Sequence, residues 1–408
     1  MRKEGKQEGK EKFMKIVVIG GAGAMAKPIV RDLLESTEVK AILLADYQEE
    51  KVKEFAASLK DPRVMGSFVD AYQIEKTADL LQKYDAVINS AQYYVNLSVM
   101  KACLKAGTHY NDLGGMFHTS REQVKFFDEF KNANLTAVLG IGGAPGITNV
   151  LARYAYDRLD TVEIVRVSDA GIDMTDMKGI DVFVPAYSIR TIMEEYADDS
   201  VQFIEGQYRT LPPLSGAMEI DFPQPIGRRT CIHTLHSEPA TIPESFKDKG
   251  VTEVTWRLSL PSEFEKRAKF LASIGFAEKN PIEVQDAKVA PIEVLAAVVE
   301  KQIKEKLSGV TVTLNDMECL RAQVFGTKNG KKVEYLVDCL VGTHSRWGAS
   351  CGDVSTGVPP SIVAQMQAKG SISPGVWGPE QAIKPESFFA ELANREMKVH
   401  VTVKEDLT

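Results

Sequence analysis

A β-branched run, Lys15-Ile-Val-Val-Ile19, empties into Gly20-Gly21-Ala22-Gly23-Ala24-Met25-Ala26, and a helical pattern follows at once. Gly21, Gly23 and Ala26 keep the G-x-G-x-x-G/A spacing: the first allows a tight turn, the second lets the backbone approach a pyrophosphate, and the third keeps helix close to strand. The helix N-terminus then offers free N–H groups and a partial positive charge to phosphates. Asp46 ends the next apolar run, Val39–Asp46, where a carboxylate would accept from the hydroxyls of an adenosine ribose. Tyr47 and Gln48 follow, with no Arg to pair with a 2′-phosphate. The stretch reads as a dinucleotide site, with NAD favoured over NADP.

Four further groups carry chemistry. Asn89-Ser90-Ala91-Gln92-Tyr93-Tyr94 follows a short apolar run. Ligands of an open parallel sheet lie outside the carboxyl ends of its strands, so these residues belong beside the nicotinamide. Tyr93 or Tyr94 can orient a substrate or relay a proton, or pack as an aromatic pair. In His109-Tyr-Asn-Asp112-Leu-Gly114-Gly115-Met-Phe-His118, the paired glycines permit close approach to a ligand. Asp112 there can hold a cationic amine, act as a base if burial raises its pKa, or cap the turn. His118 titrates in the useful range, or is a surface loop histidine. Gly140-Ile-Gly142-Gly143-Ala144-Pro145-Gly146 leads into a helix whose N–H groups can meet an amide or carboxylate, or serves as a hinge. In Gly227–Glu238, Arg228 or Arg229 can clamp an α-carboxylate. His233 and His236 lack a third ligand nearby, so no metal is expected.

The elements that must position these groups alternate strand and helix up to Gly146. Strands are expected at Lys15–Ile19, Ala41–Leu44, Ala86–Ile88 and Thr136–Leu139, with a short one within 61–70, and helices at Ala26–Leu34, Glu49–Leu59, Leu97–Lys105 and Arg121–Lys131. That rhythm predicts a parallel sheet covered on both faces. Beyond Ile147 the runs Val162–Ser168, Val251–Leu260, Val310–Leu314, Glu318–Phe325 and Lys332–Gly342 read as antiparallel strands, the last two joined by the hairpin signal Asn329-Gly330. Helices are expected at Ser188–Tyr196, Pro261–Leu271, Pro291–Leu307 and Pro359–Lys369. The chain is thus read as a disordered tail (1–13), an NAD-binding Rossmann domain (14–146), an α+β substrate and dimerisation domain (147–345) and a C-terminal segment (346–408). Its 408 residues are 44% hydrophobic and 26% charged with net charge −7, normal for a soluble protein and unsuited to nucleic acid. No apolar run approaches a membrane span, and the five cysteines are scattered, so a cytoplasmic protein without disulfides is expected.

From Met14 to about Lys384 the chain resembles the saccharopine dehydrogenase family, most closely its lysine 6-dehydrogenases. The resemblance rests on Gly20-Gly-Ala-Gly-Ala-Met25, Asp112-Leu-Gly-Gly115, Ala144-Pro-Gly146 with Asn149, His233-Thr234, and Gly357-Val-Pro-Pro360 with Gly370-Ser-Ile-Ser-Pro-Gly-Val-Trp-Gly-Pro-Glu380. It implies a Rossmann domain joined to an α+β catalytic and dimerisation domain, with the C-terminal segment returning to the first. Gly21, Gly23, Ala24, Met25, Asp46, Asn89, Ser90, Ala91, Gly143 and Pro145 would then hold NAD. Tyr94, Gly114, Arg228, His233 and Thr234 would meet substrate, and Tyr93, Asp112 or His118 would supply the base. The implied activity is oxidative deamination of L-lysine at its terminal amine, giving NADH, ammonia and a semialdehyde that cyclises to piperideine-6-carboxylate. The alternatives are imine reduction of the saccharopine or carboxynorspermidine type, and a non-catalytic NAD sensor. A homodimer is expected, formed through the strands of the second domain.

Overall fold

The structure is a computed structural model that describes residues 13–405, so the expected tail lies, Phe13 apart, outside the described residues. Six strands open the chain: β1 (Met14–Ile19), β2 (Val39–Asp46), β3 (Val64–Phe68), β4 (Ala86–Asn89), β5 (His109–Asp112) and β6 (Thr136–Val138). They form a parallel sheet ordered 6-5-4-1-2-3. Their apolar residues run almost without a break because both faces are covered. Val17, Leu43 and Val87 meet Val99, Met100 and Cys103 of the helix Asn96–Ala106 on one side. Ile16, Val18, Ile42 and Ile88 meet Ile29, Val30 and Leu33 of the helix Ala26–Glu35 on the other.

Then come β7 (Thr161–Asp173), β8 (Ser200–Ile204), β9 (Gln207–Leu211), the small hairpin β10 (Met218–Asp221) and β11 (Arg228–Cys231), β12 (Glu253–Ser259), the pair β13 (Ile282–Val284) and β14 (Ala287–Val289), β15 (Asp316–Lys328), β16 (Lys331–Gly342), β17 (Gly375–Trp377) and β18 (Lys398–Glu405). A second seven-stranded sheet runs β18-β16-β15-β7-β12-β8-β9. On its inner face Val165 and Val167 of β7, Trp256 and Leu258 of β12 and Leu320, Ala322 and Val324 of β15 share one core. On its outer face Ala170 and Cys319 are covered by Phe222, Ile226 and Cys231 of the small hairpin.

This second sheet is mixed, not antiparallel as expected. β12 runs parallel to β7 because about eighty residues with two helices of their own lie between them, long enough for a crossover. Residues 310–314 form no strand: the apolar run is too short to reach a pairing partner before β15 begins. The helix expected at Pro359–Lys369 spans Cys351–Ala368 and so begins well before Pro359, which with Pro360 sits inside it. Two elements read as one, Arg121–Lys131, are a helix Met116–Gln123 and a helix Phe127–Asn132 joined by a tighter turn.

The C-terminal segment serves both sheets. Strand β17 pairs with β6, and the Gln367 amide donates to Tyr110 O (2.8 Å) and accepts from Asn111 (3.0 Å), which seats the helix Cys351–Ala368 on β5. Strand β18 then joins β16 in the other sheet. The two sheets face each other across that helix and the Gly140–Gly146 loop. Among the described residues no helix is long and apolar enough to cross a membrane.

Candidate functional site

The glycine turn forms because no side chain fits in it. Gly20 has φ +80°, and a Cβ there would stand 2.6 Å from Ala91 N; one on Gly21 would stand 2.8 Å from Leu44 Cβ. The backbone N–H groups of Gly20 and Gly21 both donate to Ala45 O (2.9 and 3.1 Å), and Gly23 and Ala24 lie exposed ahead of the helix. Asp46 is 5% exposed; its carboxylate accepts from Ala22 N (3.0 Å) and Gln48 N (2.9 Å), pinning the turn from beneath. This cradle and carboxylate fit an adenosine dinucleotide, so Gly21, Gly23, Ala24 and Asp46 stand where the sequence placed them.

Beyond the turn, a cleft opens between the carboxyl ends of the first sheet and the inner face of the second. The first domain contributes Met25, Ser90, Ala91, Tyr93, Gly114 and the loop Gly143–Pro145. Ser90 is fixed by its hydroxyl donating to Ile19 O (2.8 Å). Asn89 stays buried below, donating to Asn96 Oδ1 (2.8 Å), and shapes the loop rather than lining the cleft. Tyr93 donates to Glu194 Oε2 (3.1 Å), and burial raises its phenol above its ordinary pKa, so it orients better than it deprotonates. Tyr94 is 48% exposed, with its ring against Tyr93 and its hydroxyl on the other oxygen of Glu194.

The sequence overlooked the other wall. Trp256, Leu258 and Leu260 of β12 and its exit, Asp169 of β7, and Glu318 and Leu320 of β15 line the cleft together with Tyr187, Glu195 and His236. His236 stacks on Trp256 (centroids 4.1 Å, planes 12° apart), and its Nδ1 is tied to Glu238, itself held by Thr148 (3.2 Å). Burial alone would lower the His236 pKa, but the charge and hydrogen bond of Glu238 hold it above the usual imidazole range. Burial pushes Glu195 up to about 7 even with the Tyr187 hydroxyl donating to it (2.6 Å). Burial and the charge of neighbouring acids also hold Asp169 and Glu318 above the carboxylate range, with Glu318 among the acids acting on Asp169 and Asp316 and Asp353 acting on Glu318. A signal for two of these was present: Asp169 and Glu318 stand on the inward phase of strands whose other inward residues are Val165, Val167, Leu320 and Ala322.

Other expected residues are placed elsewhere. Asp112 is 1% exposed beneath the loops and outside the cleft lining, with both oxygens occupied by donors. It acts through the loops that it holds and does not meet a substrate as a base. His118 is exposed on the helix Met116–Gln123, edge-on to Phe117, also outside the lining. Arg228 is paired with Asp221 (2.8 Å) on the small hairpin, across the second sheet from the cleft. Its neighbour Arg229 is on the same strand. His233 is buried on Trp256 O (2.8 Å), and Thr234 accepts from Trp256 Nε1 (2.9 Å); both orient the tryptophan without lining the cleft. The hairpin pairs and these short bonds depend on strand pairing that spacing along the chain does not reveal.

Comparison with known proteins extends this picture. A family model described as the saccharopine dehydrogenase NADP binding domain matches residues 16–138, and one described as the saccharopine dehydrogenase C-terminal domain matches residues 142–397. A carboxyaminopropylagmatine dehydrogenase of Synechocystis sp. is 27% identical, covering 95% of this chain and 97% of that protein. A carboxynorspermidine synthase of Vibrio cholerae is 24% identical, covering 90% and 92%. The saccharopine dehydrogenase (L-Glu forming) of Saccharomyces cerevisiae in its apo form shares the fold, with a TM-score of 0.69 over 96% of this chain and all of that one at 14% identity.

Proposed function

The chain belongs to the saccharopine dehydrogenase family, and from that premise we propose that it is a nicotinamide-dinucleotide-dependent reductase that joins a semialdehyde to an amine by reducing their imine. The observation that carries this reading is the cleft itself. It sets the glycine turn's exit, through Met25, Ser90 and Gly143–Pro145, against a wall with one imidazole and three carboxylates, and its lining includes no Arg or Lys. Such a wall suits an amine. The names of the two relatives denote carboxylated polyamine-type compounds, the class such a reduction yields, and they favour this direction over lysine deamination.

When bound, a reduced nicotinamide dinucleotide would supply a hydride to the imine carbon. The aldehyde oxygen would leave as water and a proton would go to the imine nitrogen. His236, whose charged form Glu238 favours, can deliver a proton to the departing oxygen or to the nitrogen, since its Nδ1 is occupied and Nε2 is the ring atom left for a ligand. Tyr93, fixed on Glu194, positions the substrate, while Trp256, Leu258 and Leu320 keep water from the reacting carbon.

NADH is the proposed cofactor. After Asp46 the chain continues Tyr47, Gln48, Glu49 and Glu50, so a 2′-phosphate would meet carboxylates in place of a cation. The test mixes protein, NADH or NADPH, a carboxylated semialdehyde and a panel of amines, and follows loss of reduced-cofactor absorbance. Consumption is expected only with both organic partners present, at least about tenfold faster with NADH. Oxidation of L-lysine by NAD⁺ with release of ammonia would restore the lysine reading, and no turnover in either direction would favour a sensor. The homodimer is also proposed: β9 and β18 are the open edges of the second sheet, and edges of that length call for cover. Sedimentation at micromolar concentration should show a dimer, and a monomer would remove the idea.

A further inference from the structure

Glu318 and Asp169 each keep one buried side-chain oxygen without a hydrogen-bond partner, and both side chains line the cleft. Glu318 is only 9% exposed, and unpaired buried acceptors of this kind are rare because each forfeits its hydration. The strand register sets their relation. Asp169 pairs with Leu320, and Gly171 pairs with Glu318, so the two acids are diagonal neighbours on the inner face, a spacing within reach of long side chains. Leu258 pairs with Asp169 on the other side, and Glu195, 2% exposed, faces the same space from the helix Ile189–Ala197.

His236 acts on Glu195, but among the described residues no ion pair joins Asp169 or Glu318 to a base, so their charged forms are costly together unless a cation joins them. A metal ion is not that cation, because no three described His, Cys, Asp or Glu residues are placed to hold one. A primary ammonium suits the spacing: its three N–H groups can reach separate carboxylates in charge-assisted bonds of about 2.8 Å. The apolar Leu258, Leu260 and Leu320 beside it would accept a methylene chain. We propose that Asp169, Glu318 and Glu195 form an ammonium subsite that takes the distal amine of a diamine or polyamine whose other amine enters the reaction. This assignment rests on the reductase reading for what happens at the other end of that molecule. The subsite itself can be tested without turnover.

The three acids also leave a mark on the free protein. Groups acting on Glu318 are Ser355, Asp316 and Asp353, and those acting on Asp169 are Glu318, Glu238 and Glu195; the result in each case is a raised carboxyl pKa. A carboxyl whose pKa is raised on folding favours the folded state below its unfolded value, near 4, and loses that favour as pH rises through the folded value. At pH 8 the acids therefore destabilise the free protein, and a neutral isostere relieves this.

The experiment uses the full chain, with and without NADH, at pH 8. Calorimetric titration compares 1,3-diaminopropane with n-propylamine on the parent, Glu318→Gln and Asp169→Asn. The diamine should bind the parent at least tenfold more tightly than the monoamine. Each variant should lose at least tenfold in diamine affinity while melting at a higher temperature than the parent without ligand. Equal binding of diamine and monoamine by the parent, which requires no variant to fold, would overturn the subsite. So would a variant that binds the diamine as the parent does, or one that melts lower. Diamine binding without consumption of NADH in the presence of any semialdehyde would leave the subsite standing and remove the reductase reading instead.

Discussion

Truncation of Asp112 to alanine is expected to cost about 3–5 kcal/mol of folding stability. One carboxylate oxygen accepts from Gly140 N (2.7 Å) and Gly114 N (3.0 Å), the other from Gln123 (2.6 Å), Tyr110 (2.8 Å) and Asn96 (3.2 Å). Removing it leaves five donors facing each other in a dry interior. It also loosens two loops, because the bonds to Gly114 N and Gly140 N are lost while the backbone bond from Ile141 N to the carbonyl of residue 112 (2.7 Å) remains. Asparagine keeps one acceptor oxygen for the two backbone N–H groups and turns an amide toward the remaining donors. Gln123 can flip and Tyr110 can rotate to accept, so Asp112→Asn should cost only about 1–2 kcal/mol. Urea midpoints at constant slope measure both. A loss below about 1 kcal/mol for alanine would show that Asp112 is not the anchor of these loops. Folded Asp112→Asn with unchanged cofactor affinity and no turnover would return it to the reacting centre.

Gly146→Ala should be as damaging for a different reason. Gly146 has φ +132°, and an added Cβ would lie 2.1 Å from Gly142 O and 2.4 Å from Gly142 N. Those two atoms close the loop: Gly142 N donates to Pro145 O (2.7 Å) and Gly142 O accepts from Ile147 N (2.9 Å). Neither can yield without moving Gly143 and Pro145, which line the cleft. Strain and overlap together should cost about 3 kcal/mol or more, with a large loss of dinucleotide affinity. Gly107→Ala is the control. Its φ of +72° is also left-handed, but nothing lies within 4 Å of the added methyl, so about 1 kcal/mol is expected and no change in cofactor binding. Similar melting temperatures for the two variants would contradict the loop's role.

Net charge carried little of this; local rhythm and motif spacing carried much. The parallel sheet, the glycine turn, Asp46 and the loop Gly140–Gly146 were legible because each is decided within about thirty consecutive residues. A β-branched run, small residues at a turn and an amphipathic helix are local consequences of backbone sterics and burial. The hairpin at Asn329-Gly330 was legible for the same reason, with β15 and β16 meeting there in unbroken register.

The far wall of the cleft was not legible, because it is made by pairing between distant segments. Asp169, Leu258 and Glu318 are separated by scores of residues and become neighbours only when β12 runs parallel and β15 antiparallel to β7. Period-two alternation says that Asp169 and Glu318 share a phase with apolar residues, but not that both phases face one cavity. Likewise Arg228 and His118 have the right chemistry on the wrong surface. The small hairpin packs on the outer face of the second sheet, and the helix Met116–Gln123 turns His118 to solvent. The sequence by itself determined a dinucleotide-binding sheet and the family. The tertiary structure alone decided which acids line the cleft, because the free energy of bringing buried carboxylates together depends on strand register and not on their spacing along the chain.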